Sequence, residues 1–248
     1  MSMELATFPY LTAILLSCIA GLLVILCIPD ERHMLIKQVS LVFSGIAMVL
    51  SIYLFFAYDK GKGGLQFIEK VLWVDSLGIY YFNAVDGFSL PMLALTGFVL
   101  FTGVLTMWEL THRVKEFFAF TFLLVAGVFG VFMAMDLFFL FVWYDVSLFP
   151  MYPLIAIWGS TRKEYGAMKL TLYLLAGSAL ILPGILYLFV KSGLNTFDVT
   201  ALMQPGVFTP FQQKFAFLLF YIGFGILAGV WPFHTWSPVG HVAAPTAV

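Results

Sequence analysis

Four ionisable side chains that could carry a proton stand in otherwise apolar or proline-rich stretches of the sequence. The first, Asp145, lies near the middle of Leu137–Trp158, a run of about twenty-two residues that could cross a bilayer as a helix. An ionised carboxylate at that depth costs about 2.5–3.5 kcal/mol on insertion scales. Its helical neighbours are apolar, so any partner must come from another segment. Asp145 is either a hydrogen-bonded structural residue or a titrating group on a proton path, and its depth favours the path.

Lys169 is the second of these side chains, and it stands in the second turn of the next apolar stretch. One interpretation is that its ammonium group reaches back to the membrane interface along its aliphatic chain. The other is that it is a buried cation that pairs with Asp145 or Asp136. A buried lysine changes its protonation state readily, which suits a proton relay.

His234 and His241 complete the set, in a C-terminal stretch that is interrupted by Pro232, Pro238 and Pro245. The histidines are seven residues apart, which is not the spacing of a helical zinc pair, and no cysteine is near, so we expect no metal site. Pro232 is assigned a structural role, as a helix breaker. Broken backbone at membrane depth is tolerated where it lines a wet cavity, and histidine there could exchange protons with water.

Two further carboxylates and one proline are assigned structural roles. Asp86 stands just before Ser89 and Pro91, an order that is typical of a helix start, and Asp136 immediately precedes the stretch that contains Asp145. Both carboxylates are therefore predicted to cap helices. Pro150 interrupts the hydrogen-bonding pattern of the Asp145 stretch.

The elements that must position these residues are membrane-spanning helices. The chain is 62% hydrophobic and 10% charged, with a mean hydropathy of +1.02, whereas soluble domains are about 25% charged. It is therefore expected to be an integral, multi-pass protein of a bacterial plasma membrane or an organelle inner membrane. Long apolar runs favour a helix bundle over a barrel. A net charge of −1 gives no indication of a nucleic-acid partner.

Hydropathy predicts seven spans, separated by short polar turns and one long polar loop. They are expected at about Pro9–Ile28, Val39–Tyr58, Phe88–Glu109, Phe117–Met135, Leu137–Trp158, Tyr165–Val190 and Phe215–Trp231. The loop between the second and third spans contains FIEKVLWV, whose alternation indicates either a hairpin strand or an interfacial segment. We divide the chain into residues 1–80, with two helices and the polar loop, and residues 81–248, with the remaining helices.

Several spaced motifs resemble the antiporter-like membrane subunits of respiratory complex I, and the M type (the fourth mitochondrial subunit) best. The resemblance extends from Asp86 onward, and the stretch LFPMYPLIAIWG separates this chain from the L and N types. The motifs are VDGFSLP at Val85–Pro91, WYDVSLFPMY at Trp143–Tyr152, IWG at Ile157–Gly159, KLTLYLLAGS at Lys169–Ser178, WPFHTW at Trp231–Trp236 and APTA at Ala244–Ala247.

The resemblance implies an all-α, polytopic helix bundle, of which this chain supplies the first of two inverted repeats, with a broken helix near its C-terminal end. It also implies a proton channel, in which a carboxylate of the fifth helix pairs with a lysine of the seventh. Further lysines and histidines carry the proton inward. On this basis the proton path is expected to use Asp145, Lys169, His234 and His241.

The sequence departs from this family pattern in several places. Asp145 replaces the family's glutamate, and Leu227 stands where counting back from His234 places the lysine. Ser237–His241 reads SPVGH instead of the usual LPDAH. Without that lysine Asp145 loses its cation, unless Lys169 substitutes for it. The second repeat is expected either on a second chain or to be absent from a shortened copy.

The function implied is that of a membrane-arm subunit of a proton-translocating NADH:quinone oxidoreductase, with a modified or incomplete proton path. This chain is expected to bind no cofactor, and FMN, iron–sulfur clusters and quinone are expected in partner subunits. The expected partners are L-, N- and K-type neighbours, lipid, and a second chain that supplies the missing repeat. The alternatives are a subunit of a cation/proton antiporter or membrane-bound hydrogenase, and a mainly structural copy without transport.

Overall fold

The computed structural model describes residues 8–246, and these form nine α-helices, a short 3-10 helix at Asp75–Leu77 and one two-stranded sheet. Residues 1–7 of the expected first domain, Ala247 at the end of the last motif, and Val248 lie outside the described residues. The elements are α1 Tyr10–Cys27, α2 His33–Ala57, β1 Gln66–Val74, β2 Ile79–Val85, α3 Ser89–Thr106, α4 Val114–Met133, α5 Leu137–Trp158, α6 Lys163–Ser192, α7 Val199–Leu202, α8 Pro210–Leu227 and α9 Trp236–Ala243.

Seven of these helices, α1 to α6 and α8, are long and apolar enough to cross a membrane, which confirms the predicted number of spans. Three helix boundaries differ from the prediction by four or more residues. The second helix begins at His33, before the apolar run. The seventh begins at Pro210 because Thr209 and Gln212 form a reciprocal capping box, with each side chain bonded to the other's backbone N–H. It ends at Leu227, four residues before the expected Trp231.

The long polar loop contains an antiparallel hairpin, so the alternation in FIEKVLWV belongs to a strand. The expected domain boundary after residue 80 falls inside β2. Two backbone hydrogen bonds connect the hairpin to neighbouring segments. The backbone N–H of Met135, between α4 and α5, donates to the Phe82 carbonyl at 2.8 Å, and the Val199 N–H donates to the Met135 carbonyl at 3.0 Å. The hairpin therefore links the α4–α5 corner to the segment that precedes α7.

Small residues let the spanning helices approach closely at two interfaces. A Cβ atom added to Gly127 of α4 would lie 2.6 Å from the backbone nitrogen of Ser147 in α5, and one added to Gly130 would clash with the Trp143 ring. Between α6 and α8, a Cβ on Gly177 would lie 3.0 Å from the carbonyl oxygen of Gly223. These contacts fix α5 against α4, and α6 against α8.

The main hydrophobic core lies around α4, not around the helix that carries Asp145. Buried phenylalanines of α4 pack against α1, α2 and α3. Of the apolar window of α4, 61% is buried, against 22% for α5 and 17% for α8. The layer that contains α5, α6 and α8 therefore has an open outer side within the described chain.

The expected broken helix lies between α8 and α9. The eight residues from Ala228 to Thr235 are not α-helical, and the chain resumes as α9 at Trp236. The indole N–H of Trp236 donates to the Ile226 carbonyl at 2.8 Å, so the side chain closes the end of α8. Trp236 is 6% exposed, and it packs with Leu148, Leu170 and Leu174.

Candidate functional site

The glycine contacts of α4 determine which way Asp145 points. Trp143 and Ser147 of α5 face α4, where they contact Gly130 and Gly127. Successive residues of an α-helix are turned by about 100°, so Asp145 points roughly 180° away from the mean direction of these two side chains. That direction is towards α6.

Asp145 is half-buried at the α5–α6 interface, and its partner is Ser178. The Ser178 hydroxyl donates to Asp145 Oδ1 over 2.8 Å. On the same interface the Tyr144 hydroxyl donates to the Leu174 carbonyl at 3.4 Å. Sequence reasoning named Ser178 only as part of a motif. Counting residues in both directions from the short turn between α5 and α6, two antiparallel helices, places Ser178 close to the level of Asp145 and could have indicated this role.

Ser178 is unusual among the hydroxyls of the spanning helices. Most of these hydroxyls donate to a carbonyl three or four residues earlier in their own helix, the usual arrangement for serine and threonine in helices. They are Ser17, Ser40, Ser44, Ser51, Thr96, Thr102, Thr106, Thr121, Ser147 and Ser192. Ser178 donates across to another helix instead. The buried Thr171 hydroxyl of α6 makes no hydrogen bond to the described residues.

The structure does not bring Lys169 to Asp145. Lys169 stands nine residues before Ser178 on α6, which is about 13 Å along the helix axis at 1.5 Å per residue. Its Nζ lies 5.9 Å from the centre of the Tyr165 ring, one turn closer to the start of α6. Asp136 is the other partner considered for this lysine, and it lies at the opposite end of the α5–α6 pair. The Lys169 side chain therefore extends towards the start of α6, in the manner of a lysine whose ammonium group reaches for the membrane interface.

Asp136 and Asp86 both accept backbone hydrogen bonds at helix starts. Asp136 is fully buried and accepts from Phe138 N–H at 2.9 Å, Phe139 N–H at 3.3 Å and, across the corner, Tyr80 N–H at 3.1 Å. Burial raises the pKa of Asp136, and these hydrogen bonds oppose that rise.

Asp86 stands just before α3 and accepts from Ser89 N–H at 2.7 Å and from Phe88 N–H at 3.0 Å. The Ser89 contact is the main cause that lowers the pKa of Asp86. Both carboxylates thus meet N–H groups that the first turn of a helix leaves unsatisfied.

A polar cluster at the hairpin end was not expected from the sequence. Glu69 of β1 accepts from the Leu11 and Thr12 N–H groups of α1, at 2.8 and 3.0 Å, and from the Thr12 hydroxyl. Its neighbour Lys70 forms an ion pair of 2.6 Å with Asp198, whose other oxygen caps α7. Alternation along β1 places consecutive residues on opposite faces, and this could have indicated that Glu69 and Lys70 serve different partners.

The two histidines lie on the open side of the chain. His234 is exposed in the break between α8 and α9. His241 is exposed on α9, with its ring centre 6.1 Å from that of Trp236. Neither has a described contact with Asp145, and Pro232 is also exposed in the break. Pro150, by contrast, is buried inside α5, which continues through it.

Leu227 occupies the last position of α8, between two hydrophobic clusters. It packs against the cluster that contains Leu148 and Trp236, and also against the one that contains Ile181. Leu148, a member of the first cluster, is one turn from Asp145. An apolar residue at position 227 gives Asp145 no cation.

The fold and site define a membrane-embedded repeat of seven spans, with a carboxylate held at a helix–helix interface and a broken helix at one end. Residues 134–248 match the family described as NADH:quinone oxidoreductase/Mrp antiporter, TM. The resemblance found in the sequence is confirmed over this range: residues 134–248 are similar to the transmembrane domain that this family model describes.

Curated relatives are similar over nearly the whole chain. The NAD(P)H-quinone oxidoreductase chain 4 1 of Nostoc sp. is 33% identical over 241 residues, which cover 96% of this chain and 44% of that protein. The protein of the same name from Synechococcus elongatus is 35% identical over 236 residues, with 94% and 44% covered. The chain thus spans about 44% of the length of these relatives, consistent with their N-terminal half.

Solved structures show the same fold. A chain of respiratory complex I from Thermus thermophilus with bound NADH superposes with a TM-score of 0.78 at 24% identity, over 94% of this chain and 46% of that one. A chain of the archaeal membrane-bound sulfane sulfur reductase gives 0.79 at 20% identity, over 96% and 48%. A chain of the Mrp complex from Dietzia sp. gives 0.75 at 19%, over 96% and 25%. The chain is therefore an integral, multi-pass membrane protein with an antiporter-like fold.

Proposed function

We propose that this chain is a membrane-arm subunit of a proton-translocating NAD(P)H:quinone oxidoreductase of the complex I type. It carries no redox group itself; FMN, iron–sulfur clusters and quinone bind to partner subunits. Its neighbours are other antiporter-like and small membrane subunits, of the L, N and K types. The observation that carries the proposal is the similarity to two chain 4 proteins, which extends over at least 94% of this chain.

Within that assembly the chain contributes a modified proton path centred on Asp145. The carboxylate lies inside a spanning helix and has a partner on the neighbouring helix. His234 and His241 are exposed at the broken helix. They join the path when helices of a second repeat, from a longer polypeptide or from a second chain, cover them.

The test of the assembly is to purify the complex from its native membrane in mild detergent and to identify every co-purifying chain by mass spectrometry. The proposal expects NAD(P)H- or quinone-site subunits, together with a polypeptide that matches the second repeat. Co-purification with antiporter subunits alone, as the fold of the Dietzia Mrp chain would allow, would contradict it.

A mainly structural copy is the second candidate, and Leu227 is the observation that favours it. With no cation at that position, Asp145 has a single hydroxyl partner among the described residues. The discriminating variant is Asp145→Asn in the assembled complex. If protons moved per NAD(P)H oxidised fall, Asp145 is on a path. If the ratio is unchanged, the chain is structural.

A further inference from the structure

We propose that Ser178 is the positioning residue of Asp145, and that it holds the carboxyl group in both of its protonation states. This inference rests on the proposed function, because it assigns the residue that acts with Asp145 in the absence of the lysine. It starts from the hydrogen bond of 2.8 Å between the Ser178 hydroxyl and Asp145 Oδ1. Ser178 is 5% exposed, so water does not compete freely for its hydroxyl.

The hydroxyl is available because it is not used within its own helix. Ser147, only two residues from Asp145, donates to the Tyr144 carbonyl of α5, as most helix serines and threonines of this chain do. Ser178 has the same local option of an earlier carbonyl in α6, yet it donates to Asp145. The more polar acceptor across the interface therefore determines its orientation, as expected for a hydrogen bond to a charged group.

Packing on both sides orients the two helices that carry these residues. Gly127 and Gly130 hold α5 against α4 so that Asp145 points to α6, and Gly177, next to Ser178, brings α6 against Gly223 of α8. Across the α5–α6 interface itself, the Tyr144 hydroxyl donates to the Leu174 carbonyl, one turn from Ser178. The carboxyl and the hydroxyl therefore face each other on helices that close backbone packing holds in orientation.

The chemistry of the hydroxyl suits a group that gains and loses a proton. A serine hydroxyl is one donor and two acceptor lone pairs, and it rotates to suit its partner. It donates to the ionised carboxylate and accepts from the protonated acid. A lysine ammonium only donates, so it favours the ionised form alone. Ser178 can therefore keep Asp145 in place through a complete cycle of protonation.

The test compares three serine variants of the chain in its intact membrane complex. Ser178→Ala removes the hydroxyl, and Ser178→Thr keeps it. Ser147→Ala is the matched control, since it removes a hydroxyl of nearly the same depth that bonds only to its own helix. Infrared difference spectroscopy identifies the carbonyl band of protonated Asp145 by its absence in Asp145→Asn. The ratio of protons moved to NAD(P)H oxidised is measured on the same samples.

The expected result is that the Asp145 band moves to higher frequency in Ser178→Ala and stays in place in Ser147→Ala and Ser178→Thr. Proton movement falls by about fivefold in Ser178→Ala only, the scale of one lost hydrogen bond. An unmoved band in Ser178→Ala would overturn the inference. A band that moves while Asp145→Asn pumps normally would uphold the contact and contradict the proposed proton path.

Discussion

The carboxylates at the hairpin end and the carboxylate inside α5 are satisfied to very different degrees. Glu69 and Asp136 each accept three hydrogen bonds, and Asp198 accepts four, counting its ion pair with Lys70. Asp145 accepts one from the described residues. The first three hold the fold together, whereas Asp145 retains acceptor capacity that the fold does not use.

Helix geometry explains the contrast. The first turn of a helix leaves backbone N–H groups without partners, and carboxylates at the starts of α1, α5 and α7 fill them. In the middle of α5 the backbone N–H groups already have carbonyl partners, and Pro150 and Pro153 have no N–H to donate. A carboxylate there can be satisfied only by another helix, by water or by a proton. The difference therefore separates structural acids from one that is free to do chemistry.

The largest expected effect is that of restoring a cation near Asp145 by Leu227→Lys. The new lysine replaces a residue packed between two apolar clusters, and a lysine in the membrane costs about 2.5–3.5 kcal/mol. If position 227 faces Asp145, part of that cost is recovered through the carboxylate. The free energy of unfolding in detergent, measured for Leu227→Lys with and without Asp145→Asn, gives a coupling of about 1 kcal/mol or more.

Leu219→Lys is the matched control for that cycle. Leu219 lies two turns earlier on α8, where its Cβ faces Gly184 of α6. It should be destabilising without any coupling to Asp145. Equal coupling at the two positions would show that Leu227 does not face the carboxylate.

Asp136→Ala should be the most damaging change among the hairpin-end acids. It leaves three backbone N–H groups without an acceptor in a fully buried corner, for a loss of about 2–3 kcal/mol. Asp136→Asn retains one acceptor oxygen and should lose less than half as much. Chemical unfolding of the purified protein in detergent measures both. If Asn and Ala are equally destabilising, the capping explanation is wrong.

Lys70→Ala tests the ion pair that joins the hairpin to α7. Its partner Asp198 has a side chain that is 6% exposed, so the carboxylate loses its cation in a place that water reaches poorly. We expect a loss of about 2 kcal/mol, somewhat below the value for fully buried pairs. Lys115→Ala is the control, because its partner Asp30 is 80% exposed and an exposed pair contributes little.

The same comparison shows what sequence could and could not predict. The seven spans follow from hydropathy, and the cap at Asp136 follows from its position before an apolar run. Asp86 accepts from Phe88 and Ser89 at the start of α3, but the cap position of that helix is Phe88. Ser178 was not assigned as the partner of Asp145, because that pairing depends on the rotation of α5 about its own axis, which the contacts with α4 determine. Glu69 and Lys70 lie in a loop by hydropathy, and only the folded hairpin brings them to α1 and to Asp198. The hydropathy pattern of the sequence gives no information about contacts between segments that are distant along the chain.

Acidification should weaken the hairpin end through Asp198. Burial alone would raise the pKa of Asp198, but hydrogen bonds from Lys70 and Thr200 lower it below its ordinary value of 3.8. The folded state then binds fewer protons than the unfolded state near that pH, so stability falls as the pH falls through 3.8 and below. The slope of unfolding free energy against pH should be shallower in Asp198→Asn. Equal slopes would contradict the role of Asp198.

The smallest effect on stability is expected for Asp145→Asn, although its effect on proton movement should be the greatest. The variant has the same shape, and its amide oxygen still accepts from Ser178, so the free energy of unfolding should change by less than about 0.5 kcal/mol. The hairpin-end acids should show the reverse, with large stability losses and proton movement that falls only as folded protein is lost. Stability and pumping are therefore measured on the same preparations. A strongly destabilised Asp145→Asn protein would place this carboxylate with the structural acids and remove the distinction between the hairpin-end acids and the acid inside α5.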